Sequence, residues 1–326
     1  MDGFEFPVSI NDAQYGNCIV CSPYAMLVRL PPDLWRHDRR YIEWALATAG
    51  CAALAPPLLA MGINRVLRIN NWFGLTRSYG GWRGESATEM TRELTNRLPR
   101  HAILISHILA ESDPGLAKGL QRAGYWISPQ RLVFVLDGKA PDVPRHRNNV
   151  RDFALLEKPD LAVVTHEEFS VRDFDACARL YYRLYIEKHT PLSPRYGPRF
   201  FKLCHDLGLL TFQGLRDRTG ALLGMVGTAE DNGAVRCSVV GYHTGLPREL
   251  GLYRRLIALV IREACQKKVT LILGGGAAEF KCSRGAKPQL ESTAVYARHL
   301  PVSGRFLWYA LRFAGHPPQT ARTSPG

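Results

Sequence analysis

At 326 residues the chain is long for one domain and comfortable for two of about 150 residues each. With 46% hydrophobic and 22% charged residues it is neither disordered nor fibrous. The net charge of +13 is uneven: residues 1–160 hold 19 basic and 16 acidic side chains, residues 161–326 hold 23 and 13. Residues 248–326 alone hold 13 basic and 4 acidic groups. This asymmetry directs the second half toward a polyanion, unless it is only a solvated arginine-rich surface.

No basic stretch precedes an apolar core at the N-terminus, so the chain reads as cytoplasmic. The uncharged run Trp44–Met61 touches the length of a membrane span, but Gly50 and the Pro56-Pro57 pair interrupt it. A buried helix followed by a turn is expected there, and no integral membrane segment. Eight cysteines include one C-x-x-C pair, Cys18 and Cys21, with no second pair to complete a metal site. All eight read as reduced, mostly buried hydrophobes, and no metal is implied.

Arg65–Phe73 predicts a strand, and Ser86–Leu98 a helix begun by Ser86 with Glu89 at the capping-box position. Ala102–Ser106 predicts a strand, Pro114–Ala123 a helix stopped by Gly124, and Arg131–Asp137 another strand. This rhythm predicts a mixed α/β architecture. Asn70–Gly84 is an aromatic, glycine-rich loop whose Trp72, Tyr79, Trp82 and Arg83 form a candidate acceptor-binding set, since aromatic faces stack on sugars and nucleobases. Packed loop aromatics are the alternative. The polar break Gly138–Asn149 marks the expected boundary between domains at 1–145 and 146–326, with a helix over Arg147–Lys158 joining them.

The second half opens with a helix over Asp173–Lys188 after an Asp cap, then a proline-rich loop, Thr190–Pro198. Leu209–Arg216, Ala221–Ala229 and Ala234–Tyr242 predict a three-stranded antiparallel meander. The loop Thr244–Gly251 leads into an amphipathic helix, Leu252–Cys265. Val269–Leu273 is a buried-type strand running into Gly274-Gly275-Gly276, and Leu290–Arg298 is a final strand.

This order resembles the core of the GNAT acyltransferase superfamily, whose central helix opens on an R/Q-x-x-G-x-G/A loop. The matching stretch is Arg248-Glu249-Leu250-Gly251-Leu252-Tyr253, in which Arg248 and Gly251 agree and Tyr253 replaces the last small residue. Such a loop offers free backbone N–H groups and the positive end of a helix dipole to a pyrophosphate. The segment Gly274–Gly285, with Phe280-Lys281 and Arg284-Gly285, resembles the glycine, Phe-Lys, basic-Gly stretch of Fem-type aminoacyl and peptidyl transferases. Arg147–Asp152 (RNNVRD) resembles their domain-joining basic helix, and Leu180–Lys188 the helix that opens their second domain. The resemblance runs from about Ser86 to Leu300 and implies two tandem GNAT-like domains, each a mixed sheet flanked by helices.

The implied activity is amide formation by transfer of an acyl or aminoacyl group to an amine. Such a site needs a deprotonated amine, donors for the oxyanion and a route for the proton. The Fem-type resemblance places Lys281 against the donor's phosphate or oxyanion, the alternative being a solvated loop lysine, with Gly275 beside it and Arg284 and Lys287 extending the positive patch. Glu279 is a proton acceptor or, by preference, an ion-pair partner of Lys281 or Arg284. Tyr242 and His243 end the third meander strand, where GNAT strands splay around the acyl group; His243 is a candidate base or a packed strand-end residue. Tyr253 is a proton donor or, by preference, a core aromatic. No tightly bound cofactor is expected. The donor is a cosubstrate, either aminoacyl-tRNA or an acyl thioester of coenzyme A or a carrier protein; a non-catalytic nucleotide- or RNA-binding module is the third reading.

Overall fold

Ten strands and ten α-helices form over residues 3–37, 39–72, 75, 79–231 and 233–313, the part of the chain that the computed structural model describes. The first half holds β1 (Val8–Asn11), α1 (Leu30–His37), α2 (Tyr41–Ala60), β2 (Val66–Ile69) and α3 (Ala87–Arg97). It continues with β3 (Ala102–Leu109), α4 (Pro114–Arg122) and β4 (Trp126–Asp137). Then follow α5 (Arg147–Leu156), β5 (Ala162–Val164), α6 (Val171–Tyr181), α7 (Pro198–Asp206), β6 (Thr211–Arg216), β7 (Leu222–Asp231) and β8 (Ala234–Tyr242). The chain closes with α8 (Leu252–Lys267), β9 (Thr270–Leu273), α9 (Ala278–Cys282), β10 (Lys287–Tyr296) and α10 (Val302–Phe313).

All ten strands share one mixed sheet, ordered β1-β2-β3-β10-β4-β9-β8-β7-β6-β5. Two neighbouring pairs are parallel, β2 with β3 and β8 with β9; the others are antiparallel. The meander is β6-β7-β8. Its first turn is held by Asp217, whose Oδ1 accepts from the backbone N–H of Thr219 and Ala221 at 2.9 and 3.0 Å. β10 lies between β3 and β4, so the end of the chain completes the sheet begun by the first half. β4 pairs directly with β9, and the sheet runs unbroken past residues 145 and 146.

Helices cover both faces because each strand alternates. Met225 and Val226 are neighbours on β7 yet enter different clusters, one with Phe174, Phe201 and Phe212 under α6 and α7, the other with Leu256 and Val260 of α8. Val66 and Leu67 divide in the same way: Val66 packs with Leu58 and Leu307, Leu67 with Trp82, Leu116 and Leu120.

Several local expectations change. The uncharged run is one continuous helix, α2, not a buried helix and a turn; Ile42 is 76% and Leu46 69% exposed, and Leu58 alone among its described residues is buried. Pro56 and Pro57 fall in its last turns, and the short α1 covers only one of its sides. Ser86 makes no capping bond, because its hydroxyl accepts from Trp82 Nε1 at 3.2 Å. The helix expected from Asp173 starts earlier at Val171, with Ser170 donating backbone N–H and hydroxyl to Asp173 at 2.7 Å, and turns π-helical over Tyr182–Glu187. None of the eight cysteines is in a disulfide; Cys21, Cys177 and Cys204 are buried as expected, whereas Cys282 is exposed.

Candidate active site

β8 and β9 pair from Ala234–Thr270 to Cys237–Leu273, and there the pairing stops. β8 continues to Tyr242 while β9 gives way to Gly274-Gly275-Gly276, so the strands part around a gap between residues 238–242 and 274–276. A Cβ on Gly275 would stand 3.3 Å from the carbonyl oxygen of Leu132, so glycine lets this strand end lie tight against β4.

After the glycines, α9 brings Lys281 back beneath the gap. Its side chain is 4% exposed and its ammonium donates to the carbonyl oxygens of Gly274 at 2.5 Å and Gly275 at 3.1 Å. Two of three ammonium donors are thereby used and one remains for a third acceptor. The Phe134 ring lies 5.2 Å away. Burial draws the Lys281 pKa down to about 8; Cys237 opposes the shift and the nearby Arg131 charge adds to it.

An aromatic series leads from this gap to the start of α8. Tyr242 faces Tyr253 at 5.9 Å, Tyr253 faces Phe280 at 5.0 Å, and the Arg284 guanidinium stacks 3.4 Å over Phe280. Burial raises the Tyr253 phenol well above its usual range, as suits the core role preferred for it. The Lys188 ammonium donates to the Tyr242 hydroxyl at 3.5 Å. His243 is half-buried; its backbone N–H donates to Leu223, and its Nδ1 is buried without a partner among the described residues. Gly251 adopts φ 62° to turn the Arg248–Leu250 3₁₀ segment into α8, whose first-turn N–H groups point outward from the helix end.

Asp152 is the residue that sequence reasoning missed. It lies 1% exposed on α5 and grips both ends of the site: Oδ1 accepts from Arg254 at 2.6 and 2.9 Å, and Oδ2 accepts from Arg284 Nε at 2.7 Å. Asn149 Nδ2 donates to the carbonyls of Val143 and Arg284, and Asn148 Nδ2 to that of Ser283. These three polar residues sit at spacings of three and four on a basic helix, the signal that marked one binding face. A second buried carboxylate, Glu291 on β10, accepts from Arg131 Nε at 2.7 Å and lies 3.2 Å from His107 Nδ1. Against the opposing effect of burial, Arg131 and His107 hold this carboxyl far below the carboxylate range.

Other assignments need correction. Glu279 is exposed and pairs with neither Lys281 nor Arg284, because Asp152 takes Arg284. Lys287 is exposed at the start of β10, without an ion pair among the described residues. The positive patch shrinks, since Arg254 and Arg284 are held by Asp152, Arg255 by Asp160, and Lys267 by Glu230 and Glu263. Tyr79 and Trp82 are 3% and 1% exposed and pack with Phe6, so they present no free face for stacking. Trp72 donates to Asn70 at 2.6 Å and packs beneath α6 and α7, while Arg83 is exposed. Of that loop, residues 73, 74 and 76–78 lie outside the described residues.

A mixed sheet that splays beside a glycine-ended strand, with a helix opening on a glycine loop next to it, defines the GNAT-type fold. No protein-family model matches the chain, and no curated protein sequence matches it. Among solved structures it is similar to FemX, with a TM-score of 0.55 and 9% identity over 76% of this chain and 83% of that one. It also aligns with L-PGS from Bacillus licheniformis, with a TM-score of 0.49 and 12% identity over 71% of this chain and 79% of that one. The FemX likeness shows the fold, and the chain resembles the Fem-type GNAT proteins in architecture as in motif.

Proposed function

We propose that the protein is an N-acyltransferase that moves an aminoacyl group from aminoacyl-tRNA to an amine acceptor, with residues 1–145 on the acceptor side and residues 146–326 holding the donor. The buried Lys281 ammonium at the head of the β8–β9 gap carries this reading. The acceptor amine attacks the ester carbonyl, forming the C–N bond. The carbonyl oxygen takes negative charge beside the unused Lys281 donor. Collapse breaks the C–O bond, and the proton lost by the amine ends on the departing ribose hydroxyl. In this reading His243, the residue that follows β8, carries it.

The aromatic series supports an RNA donor over coenzyme A. A pantetheine arm would run from the α8 terminus to the strand gap, where Tyr242, Tyr253 and Phe280 pack against one another in tilted ring contacts. The Arg248–Gly251 loop favours the thioester reading, and titration separates the two. Charged and uncharged tRNA are expected to bind with affinity falling linearly in log salt, as several phosphates require, and coenzyme A is expected not to bind. Micromolar coenzyme A binding without tRNA binding at low salt would replace the donor; binding of RNA with no transfer to any amine would make this a binding module.

The pH dependence follows from Lys281. Below about pH 8 it is charged and stabilises the oxyanion; above, it is neutral. Turnover is expected to fall as pH rises through about 8, and Lys281→Arg to lose that limb while keeping measurable activity. A single-turnover pH profile with no alkaline fall would remove Lys281 from this role.

A further inference from the structure

We propose that α2 and α10 form a docking surface for an anionic phospholipid bilayer, along which the protein lies without spanning it. A helix that is apolar on all sides belongs in a core or in lipid. α2 is such a helix, yet only 6% of its most apolar stretch is buried. Its half-buried positions Glu43, Ala47, Cys51 and Ala55 recur every four residues and face α1 and the body. The outer side carries Ile42, Leu46 and Leu54 among alanines, with no charge from Trp44 to Ala60, in a helix about 30 Å long. Tyr41 and Trp44, both exposed, stand at one end, where amphipathic rings suit the headgroup layer.

Two observations select the orientation and the occupant. Leu58 is buried against Leu307 and Trp308, so the end of α2 is fixed to the body and the helix lies flat on the surface it meets. α10, packed there, exposes Val302 and Phe306 beside Arg305, with Arg298 just before it; neither arginine has an ion pair among the described residues. No acidic residue follows Glu291 in the sequence. A pairing of two copies through this face would gather four arginines at one interface, whereas anionic headgroups complement them.

The test is co-sedimentation of the full chain with phosphatidylcholine vesicles, with and without an equal part of phosphatidylglycerol, at low and high salt. Binding to the anionic vesicles is expected, weakened by salt. Leu46→Glu/Leu54→Glu is expected to lower it about tenfold or more, and Arg298→Gln/Arg305→Gln about tenfold on anionic vesicles alone. Thermal melts matching the parent confirm that these exposed changes spare the fold. Independently of any change to the apolar face, bromolipid quenching is expected to dim the parent's tryptophan fluorescence and to lose most of that effect in Trp44→Phe. Absence of binding at low salt, binding indifferent to the leucine changes, or a dimer in light scattering that those changes dissociate would each overturn the proposal.

Discussion

Lys281→Met is expected to lower single-turnover transfer by about 10²–10³-fold, the usual effect of removing one donor from a developing oxyanion. The substitution keeps a flexible apolar stem against Phe134 and removes the ammonium that bridges Gly274 and Gly275. It also removes a buried charge whose desolvation is unfavourable, so the thermal midpoint should change little. The effect should fall on the chemical step, with donor affinity nearly retained, since the single charge contributes one contact among many to an RNA. A fall in donor affinity with the chemical step intact would instead make Lys281 a phosphate contact. Unchanged turnover would remove the site from the β8–β9 gap.

Local sequence signals reached the part of this site built from consecutive residues. The meander, the central helix and the strand before the triple glycine each form from neighbours in the chain, and β8 spans Ala234–Tyr242 as its alternation predicts. The closeness of Lys281 to Gly274 and Gly275 was legible through the motif, because the glycines and the lysine lie close together in the sequence. The surrounding constellation was not. β10 pairs with β3 and β4 across well over a hundred residues, and nothing in its own pattern names those partners. Nothing local to Glu291 points to its partner, which β4 supplies by bringing Arg131 beside it.

Charge counting overstated the free positive patch for a related reason. Composition registers the arginines and lysines of the second half but not the carboxylates that reach them from α5 and the loop after it. Aromatic counting failed in the opposite direction: Tyr79 and Trp82 resemble a stacking platform in sequence, and the sheet face absorbs them. α2 shows the limit of hydrophobicity itself. An apolar run predicts removal from water, but not whether protein or lipid does the covering.

Asp152→Asn is expected to destabilise the fold by about 3–5 kcal/mol, the range for removing one partner of a buried ion pair. The amide has nearly the shape of the carboxylate, so packing is kept and the change is electrostatic. The amide keeps one neutral acceptor oxygen but replaces the other by an NH2 donor and removes the charge that answered Arg284. That arginine is 7% exposed and otherwise holds only the Phe280 carbonyl at 2.7 Å and the Ser283 hydroxyl at 3.2 Å. Arg254, with a side chain 45% exposed, can return to water, so Arg254→Ala alone is expected to cost about 1 kcal/mol or less. The urea midpoint at unchanged slope gives both numbers. Because the high cost comes from stranding the Arg284 guanidinium, Asp152→Asn/Arg284→Met is expected to recover most of it, methionine filling the same channel against Phe280. A single variant within about 1 kcal/mol of the parent, or a double variant as unstable as the single, would show that Asp152 is not the clamp holding α5 against α8 and the turn after α9.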